Sequence, residues 1–251
     1  MSFSKAQEKF RLKTYYDYSN KQLLAMLARA KTDTEKMTLL NSLALGIETT
    51  NSPQDIDTSS IEQIIKINGR AKLIDDSPYR TILMAIKAEK KGAYIEELSL
   101  FKQAVDEIDK ENIDAGNFLI AMRWVFTIAD KQEDKFEYYS KKRSFYLERG
   151  RYFNAAVCAH CIAGYYAFKG DYNSAINNYL RAGDESKPYS KTWYVNEILV
   201  SGVNYNTWGN TNRALFYLKK GLHDLVAYVF GYPVAIIVNF YDNALSRNTG
   251  R

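Results

Sequence analysis

A chain of 251 residues with 34 basic and 29 acidic side chains, a net charge of +5, can bury a sizeable core and carries too little charge to demand an anionic partner. Hydrophobic residues make up 46% and charged residues 25%, which excludes a disordered chain. Two cysteines exclude a disulfide framework, the opening MSFSKAQEKFRLK lacks the apolar run of a secretory signal, and the most apolar stretch, Gly231 to Phe240, is too short to span a bilayer; a soluble cytoplasmic protein with no membrane partner is expected.

Helix signals run from end to end, and no strand alternation competes with them. Ser4 to Tyr16 reads as a first helix, broken near Asp17 to Asn20. Asn20 can cap a second, in which Leu23, Leu24 and Leu27 form one face beside Met26. Thr32 with Glu35 is a capping box that opens a helix through Met37, Leu40, Leu43, Ala44 and Ile47. Ser59 with Glu62 reads as another, starting a helix with Ile61, Ile64 and Ile65 on one side and Gly69 as its stop.

Ser77 and Pro78 form a cap followed by proline at the first helical position. That helix runs to Lys91, where Gly92 turns the chain into a partner over Tyr94 to Lys110. Asn117 to Gly150 gives two more helices with a turn near Lys131; Trp124 stands where a small packing residue is expected, unless a slip of one to three residues puts Ala121 there. After Gly221 the chain continues to Phe230, turns at GYP, and ends in a helix over Val234 to Arg247 that can cap what precedes it.

Between Ala156 and Gly221 two helical hairpins share one grammar. FKGDYNSAINNYLRA (168–182) aligns with TWGNTNRALFYLKKG (207–221), so Gly209 falls 39 residues after Gly170. Ala214 then falls on Ala175, Leu218 on Tyr179 and Gly221 on Ala182, and upstream Gly202 falls on Ala163 and Tyr205 on Tyr166. Small residues at these places let two antiparallel helices approach, and glycine supplies the left-handed conformation of the turn. Two periods back, Gly92, Ala85, Phe101 and Ala104 occupy the places of Gly170, Ala163, Tyr179 and Ala182, so the repeat extends well before residue 156. A further period puts Gly46 on the place of Ala85, with Pro53 at the turn.

This pattern resembles the tetratricopeptide repeat family, whose usual period is 34 residues. The resemblance implies an all-α, right-handed α-solenoid of about five hairpins with a C-terminal capping helix. It makes 1–251 a single domain, with 1–31 an N-terminal hairpin or cap, 32–230 the repeats and 231–251 the capping helix. The longer period is similar to the sensor halves of bacterial regulators, implying either a stand-alone sensor or part of a longer regulator.

In that family the first helix of each hairpin lines a concave groove. Carried over, the groove positions are Asn196, Leu199, Val203, Asn206 and Thr207 in one unit and Val157, His160, Gly164, Ala167 and Phe168 in the unit before it. The Gly92 unit contributes Tyr79, Ile82, Ile86, Glu89 and Lys90. The implied function is non-catalytic, a regulatory scaffold holding a protein or peptide segment, with Asn196 and Asn206 clamping its backbone through amides that both donate and accept. The basic residues of the family's carboxylate clamp are largely missing from these positions. An apolar groove can also be filled by the protein itself or by a second copy, which makes a homo-oligomer a further expectation.

Other chemistries find little support. Cys158, His160 and Cys161 lie close in sequence, but a zinc site needs about four ligands and the other histidine, His223, is two helices away, so no metal or cofactor is expected. Neither histidine sits in a catalytic motif, and Glu96 with Glu97, or Asp106 with Asp109, read as solvated helix surface, so an enzyme is not expected. Lys141, Lys142, Arg143, Arg149 and Arg151 form the densest basic run, interleaved with tyrosines as in a nucleic-acid surface. Asp134, Glu137 and Glu148 dilute it, which keeps RNA binding as the alternative to a protein partner.

Overall fold

The computed structural model describes residues 12–44, 56–111, 114 and 116–228. Among them the chain is all-α: α1 (Asn20–Leu27), α2 (Asp33–Ala44), α3 (Thr58–Ala71), α4 (Ser77–Glu89), α5 (Tyr94–Lys110), α6 (Gly116–Ile128), α7 (Gln132–Glu148), α8 (Tyr152–Phe168), α9 (Tyr172–Ser186), α10 (Lys191–Thr207) and α11 (Thr211–Tyr228). No β-strand occurs among the described residues. The expected terminal helix over Val234 to Arg247, most of Ser4 to Tyr16, and the Gly46 and Pro53 positions lie outside them.

The helices group into two compact units, residues 1–131 and 132–251. Within the first, α1 to α6 each pack on their neighbour in sequence; within the second, α7 to α11 do the same. This neighbour-on-neighbour order is consistent with a helical repeat.

One closure ends five of the helices. After α4, α6, α7, α8 and α10 a left-handed residue follows, Gly92 (φ 70), Asp130 (φ 53), Gly150 (φ 67), Gly170 (φ 77) and Gly209 (φ 85). The next backbone N–H then reaches back five residues: Ala93 to Ala88 (3.0 Å), Lys131 to Phe126 (2.9 Å), Arg151 to Tyr146 (2.9 Å), Asp171 to Tyr166 (3.0 Å) and Asn210 to Tyr205 (2.9 Å). This double turn satisfies carbonyls that a bare helix end would leave open. Asp171 and Asn210 then start the next helix, their side chains accepting from the N–H of Ser174 and Arg213.

In the first unit Asn41 is the polar hub. Fully buried, it donates to the carbonyl of Lys13 (3.2 Å) and to Thr14 Oγ1 (2.9 Å), and it accepts from the Tyr79 hydroxyl (2.7 Å), tying the segment before α1 to α2 and α4. Burial pushes the Tyr79 hydroxyl well above the usual tyrosine range, so it stays a donor.

Several helix ends differ from the sequence expectation. The Thr32–Glu35 capping box forms, with Glu35 Oε2 accepting from Thr32 N and Thr32 Oγ1 accepting from Glu35 N. The α1 cap is Ser19 in place of Asn20, because Ser19 pairs reciprocally with Gln22. The α3 cap is Asp57 in place of Ser59: its carboxylate accepts from both Ser59 N and Ser60 N, which a hydroxyl at Ser59 cannot do from inside the first turn. Asp76 precedes α4, and Ser77 is already helical. Gly69 does not stop α3, which continues to Ala71 and ends on Lys72 at φ 53, where the Asn68 amide closes the turn on Leu73 and Ile74. In α1, Leu23 is buried while Leu24 is 56% exposed, so the apolar face is Leu23 with Met26 and Leu27. The choice left at the degenerate unit is resolved by burial, with Ala121 fully buried and Trp124 exposed; its left-handed residue is Asp130, one before Lys131.

Candidate functional site

The face of α10 is set by what packs on its two flanks. On one side Gly202 meets Leu218 of α11, and Leu199 lies against Gly221 of α11, where an added Cβ would stand 2.6 Å from Leu199 Cδ2. On the other, Val200 packs on the cluster of Ala163, Ala175 and Tyr179 from α8 and α9. Helical geometry, about 100° per residue, leaves one stripe between these seams, on which Asn196, Val203 and Thr207 fall within about 40° of arc. Asn196 and Thr207 are exposed and Val203 is half-buried.

Leu199 and the half-buried Asn206 sit on the shoulder toward α11. The Asn196 and Asn206 side-chain amides have no hydrogen-bond partner among the described residues, whereas Asn204 of the same helix donates to the Val200 carbonyl at 2.8 Å. Ten residues of helix separate the two open amides by about 15 Å along the axis, the reach of four or five residues of extended chain.

Two aromatic rings stand exposed at the ends of α8 and α10. Phe168, at the end of α8, is 64% exposed, and Trp208, just after α10, is 49% exposed. Trp208 stacks on Tyr205 (6.3 Å, 21°), which stacks in turn on Tyr217 of α11 (5.3 Å, 12°), and the Arg213 guanidinium donates to the Tyr205 hydroxyl at 3.2 Å. The Trp208 ring is therefore backed by a rigid column with its outer side open.

His160 does not join the stripe. It is buried, its Nδ1 lies 2.8 Å from Glu197 Oε1 of α10, and the rings of Tyr179 and Trp193 stand edge-on to it at 5.3 and 5.6 Å. Glu197 is fully buried, and its Oε2 has no hydrogen bond. Sequence reading passed over Glu197. The available signal was a lone carboxylate between Asn196 and Ile198, in a helix whose other charged residue is Lys191. No family model matches this chain, and no curated protein does.

Cys158 and Cys161 are buried beside Tyr139 and form no disulfide, and no group of three or more His, Cys, Asp or Glu side chains able to hold a metal occurs among the described residues. No helix among them is long and apolar enough to cross a membrane.

The basic run on α7 is already engaged within the chain. Lys141 pairs with Glu137 and Arg143 with Glu185 of α9; Lys142 lies 5.3 Å from the centre of the Phe145 ring, and Arg149 covers the same ring at 3.7 Å. These contacts lower the number of cations available to a phosphate backbone. The expected solvated pair, Glu96 and Glu97, splits: Glu96 is exposed, while Glu97 turns inward and is fully buried. One residue of helix rotates the side chain by about 100°, and at Glu97 that direction is the α4–α5 seam.

Proposed function

We propose that this chain is a non-catalytic, tetratricopeptide-like scaffold that holds an extended peptide segment of a partner protein along the outward stripe of α10, with a regulatory output. The reading rests on one observation: Asn196 and Asn206 present unpartnered amides on a helix whose two flanks are sealed by α11 and by the α8–α9 pair. Each amide offers a donor and an acceptor to a peptide backbone. Val203 supplies apolar contact between them. The same face supports a regulatory role, since a segment bridging α8 and α10 changes the equilibrium between arrangements of neighbouring helices.

The test is selection of binders from a displayed library of random peptides, followed by fluorescence anisotropy with an enriched peptide. Losing two backbone clamps costs about 2 kcal/mol, so Asn196→Ala/Asn206→Ala is expected to weaken binding by about 30-fold with unchanged circular dichroism. No enriched peptide, or equal affinity of the folded double variant, overturns the reading. A sedimenting mass that rises with concentration and falls in the double variant also overturns it, because the face is then occupied by a second copy.

A further inference from the structure

Tyr15, Met26, Ala30 and Leu39 wall a cavity of about 580 Å³ where the segment before α1 and the end of α1 meet α2. Small-molecule sites typically enclose about 300–1,000 Å³ and are mostly apolar, and most of this lining is apolar too. The cavity adjoins the core cluster of Leu23, Leu39 and Leu43, against which Met26 and Ala30 are only partly buried. The wall that carries Tyr15 is tied to α2: Tyr15 N donates to Ser42 Oγ at 2.9 Å, and Asn41 donates to the Lys13 carbonyl and to Thr14 Oγ1. The Tyr18 ring stands edge-on to the Tyr15 ring at 5.6 Å.

Arg29 and Lys31 line the same cavity, and neither forms an ion pair among the described residues. The other polar groups of the lining are committed within the chain. Thr38 Oγ1 donates to the Thr34 carbonyl at 2.9 Å, and the Thr34 and Thr32 hydroxyls share a hydrogen bond at 3.0 Å. Glu35 Oε2 accepts from the N–H groups of Lys31 (2.9 Å) and Thr32 (3.0 Å). Those bonds, that from Thr32 foremost, hold Glu35 below the usual carboxylate range, with the Lys31 charge the smallest cause. Asp33, next to this turn, pairs with Arg70 at 2.9 Å. The open chemistry is therefore an apolar wall with a guanidinium and an ammonium beside it, which calls for an anion on an apolar body. The planar fork of arginine matches a carboxylate, and a tyrosine ring and a thioether both favour an aromatic body.

We propose that this cavity is a binding site for a small aromatic carboxylate, its carboxylate on Arg29 and Lys31 and its ring against Tyr15, Met26 and Leu39. The site belongs to the first unit and does not depend on the peptide reading of α10.

Titration of the isotope-labelled full chain with 3-phenylpropanoate, followed by amide nuclear magnetic resonance, tests this directly. Saturable shifts centred on residues 26–39 are expected, with a Kd in the millimolar range that suits a ligand of this size. The same ring on an alcohol, 3-phenylpropan-1-ol, is expected to bind about tenfold more weakly, having lost the charge-assisted hydrogen bonds. Arg29→Gln/Lys31→Gln changes two exposed side chains and is expected to weaken binding of the carboxylate by at least about tenfold. Lys87→Gln/Lys91→Gln lowers the net charge by the same amount at exposed positions of α4 and the turn after it, and is expected to leave the affinity unchanged. No saturation by about 20 mM, shifts centred elsewhere, equal binding of the alcohol, or equal loss in the two double variants overturns the proposal. Should Arg29→Gln/Lys31→Gln unfold, the alcohol comparison and the location of the shifts in the wild type still decide it.

Discussion

Gly202 of α10 stands so close to Leu218 of α11 that a Cβ at Gly202 would lie 2.9 Å from Leu218 Cγ and 3.1 Å from its backbone nitrogen. The same place in the preceding repeat holds Ala163 against Ala175 and Tyr179, so the two hairpins solve one packing problem with different side-chain volumes. Gly202→Ala must push the helices apart, because a Cγ and a backbone atom have little room to yield. A loss of about 1–3 kcal/mol is expected from such overpacking, read as a lower urea midpoint. A change within about 0.5 kcal/mol would show that the α10–α11 seam yields to the added methyl group.

The left-handed turn residues test the backbone alone. At Gly170 and Gly209 nothing lies within 4 Å of an added Cβ, so alanine there meets open space and its cost is conformational. Each substitution is expected to destabilise by about 1–2 kcal/mol. Asp130 occupies the corresponding conformation at φ 53 with a side chain attached. Asp130→Gly relieves that strain and is expected to raise stability by up to about 1 kcal/mol, reversing the usual sign for glycine. Thermal melts of the three variants decide it, and a destabilised Asp130→Gly would show that the aspartate makes a contact worth more than its backbone strain.

The second-unit hairpins were legible because their turns carry glycine and their seams carry Ala163, Ala175, Gly202 and Ala214, all of which periodicity can find. The degenerate unit was harder. With Asp130 in place of glycine, nothing in the sequence marked the left-handed residue, and the register of Ala121 against Trp124 stayed open. Caps were misassigned by one or two residues wherever Ser, Asn and Asp cluster, as at Ser19, Asn20, Asp57 and Ser59, since each side chain can cap and geometry alone selects among them. The outward stripe of α10 was accessible through the family resemblance. The inward direction of Glu97 and Glu197 was not, because both lie among exposed-looking polar neighbours and their burial comes from packing partners in other helices.

The buried pair of His160 and Glu197 predicts a strong asymmetry between single and double substitutions. Removing His160 alone strands the Glu197 carboxylate, whose second oxygen is already without a hydrogen bond, and is expected to cost about 3–5 kcal/mol. Replacing both by leucine removes the desolvation burden and is expected to be far milder than the sum of the two single changes. A double-mutant cycle in urea measures the coupling. Strict additivity would mean that the 2.8 Å contact contributes nothing.

Glu97 makes stability depend on pH in a direction opposite to that of a salt-bridged carboxylate. Its carboxyl stands at about 8 in the folded protein against 4.5 for the ordinary side chain. Between these values the unfolded chain has released the proton and the native one keeps it, so the native state binds more protons and stability falls as pH rises from about 4.5 to about 8, levelling off above. The full penalty is on the order of 3–5 kcal/mol by linkage. Glu97→Gln stays neutral in both states, so it is expected to flatten this slope and to exceed the wild type in stability at pH 8. Urea unfolding at pH 5, 6.5 and 8 for both proteins checks the sign. If the wild type gains stability over that range by the same amount as the variant, Glu97 is ionised in the folded state, and its charge is met by a partner already in the protein.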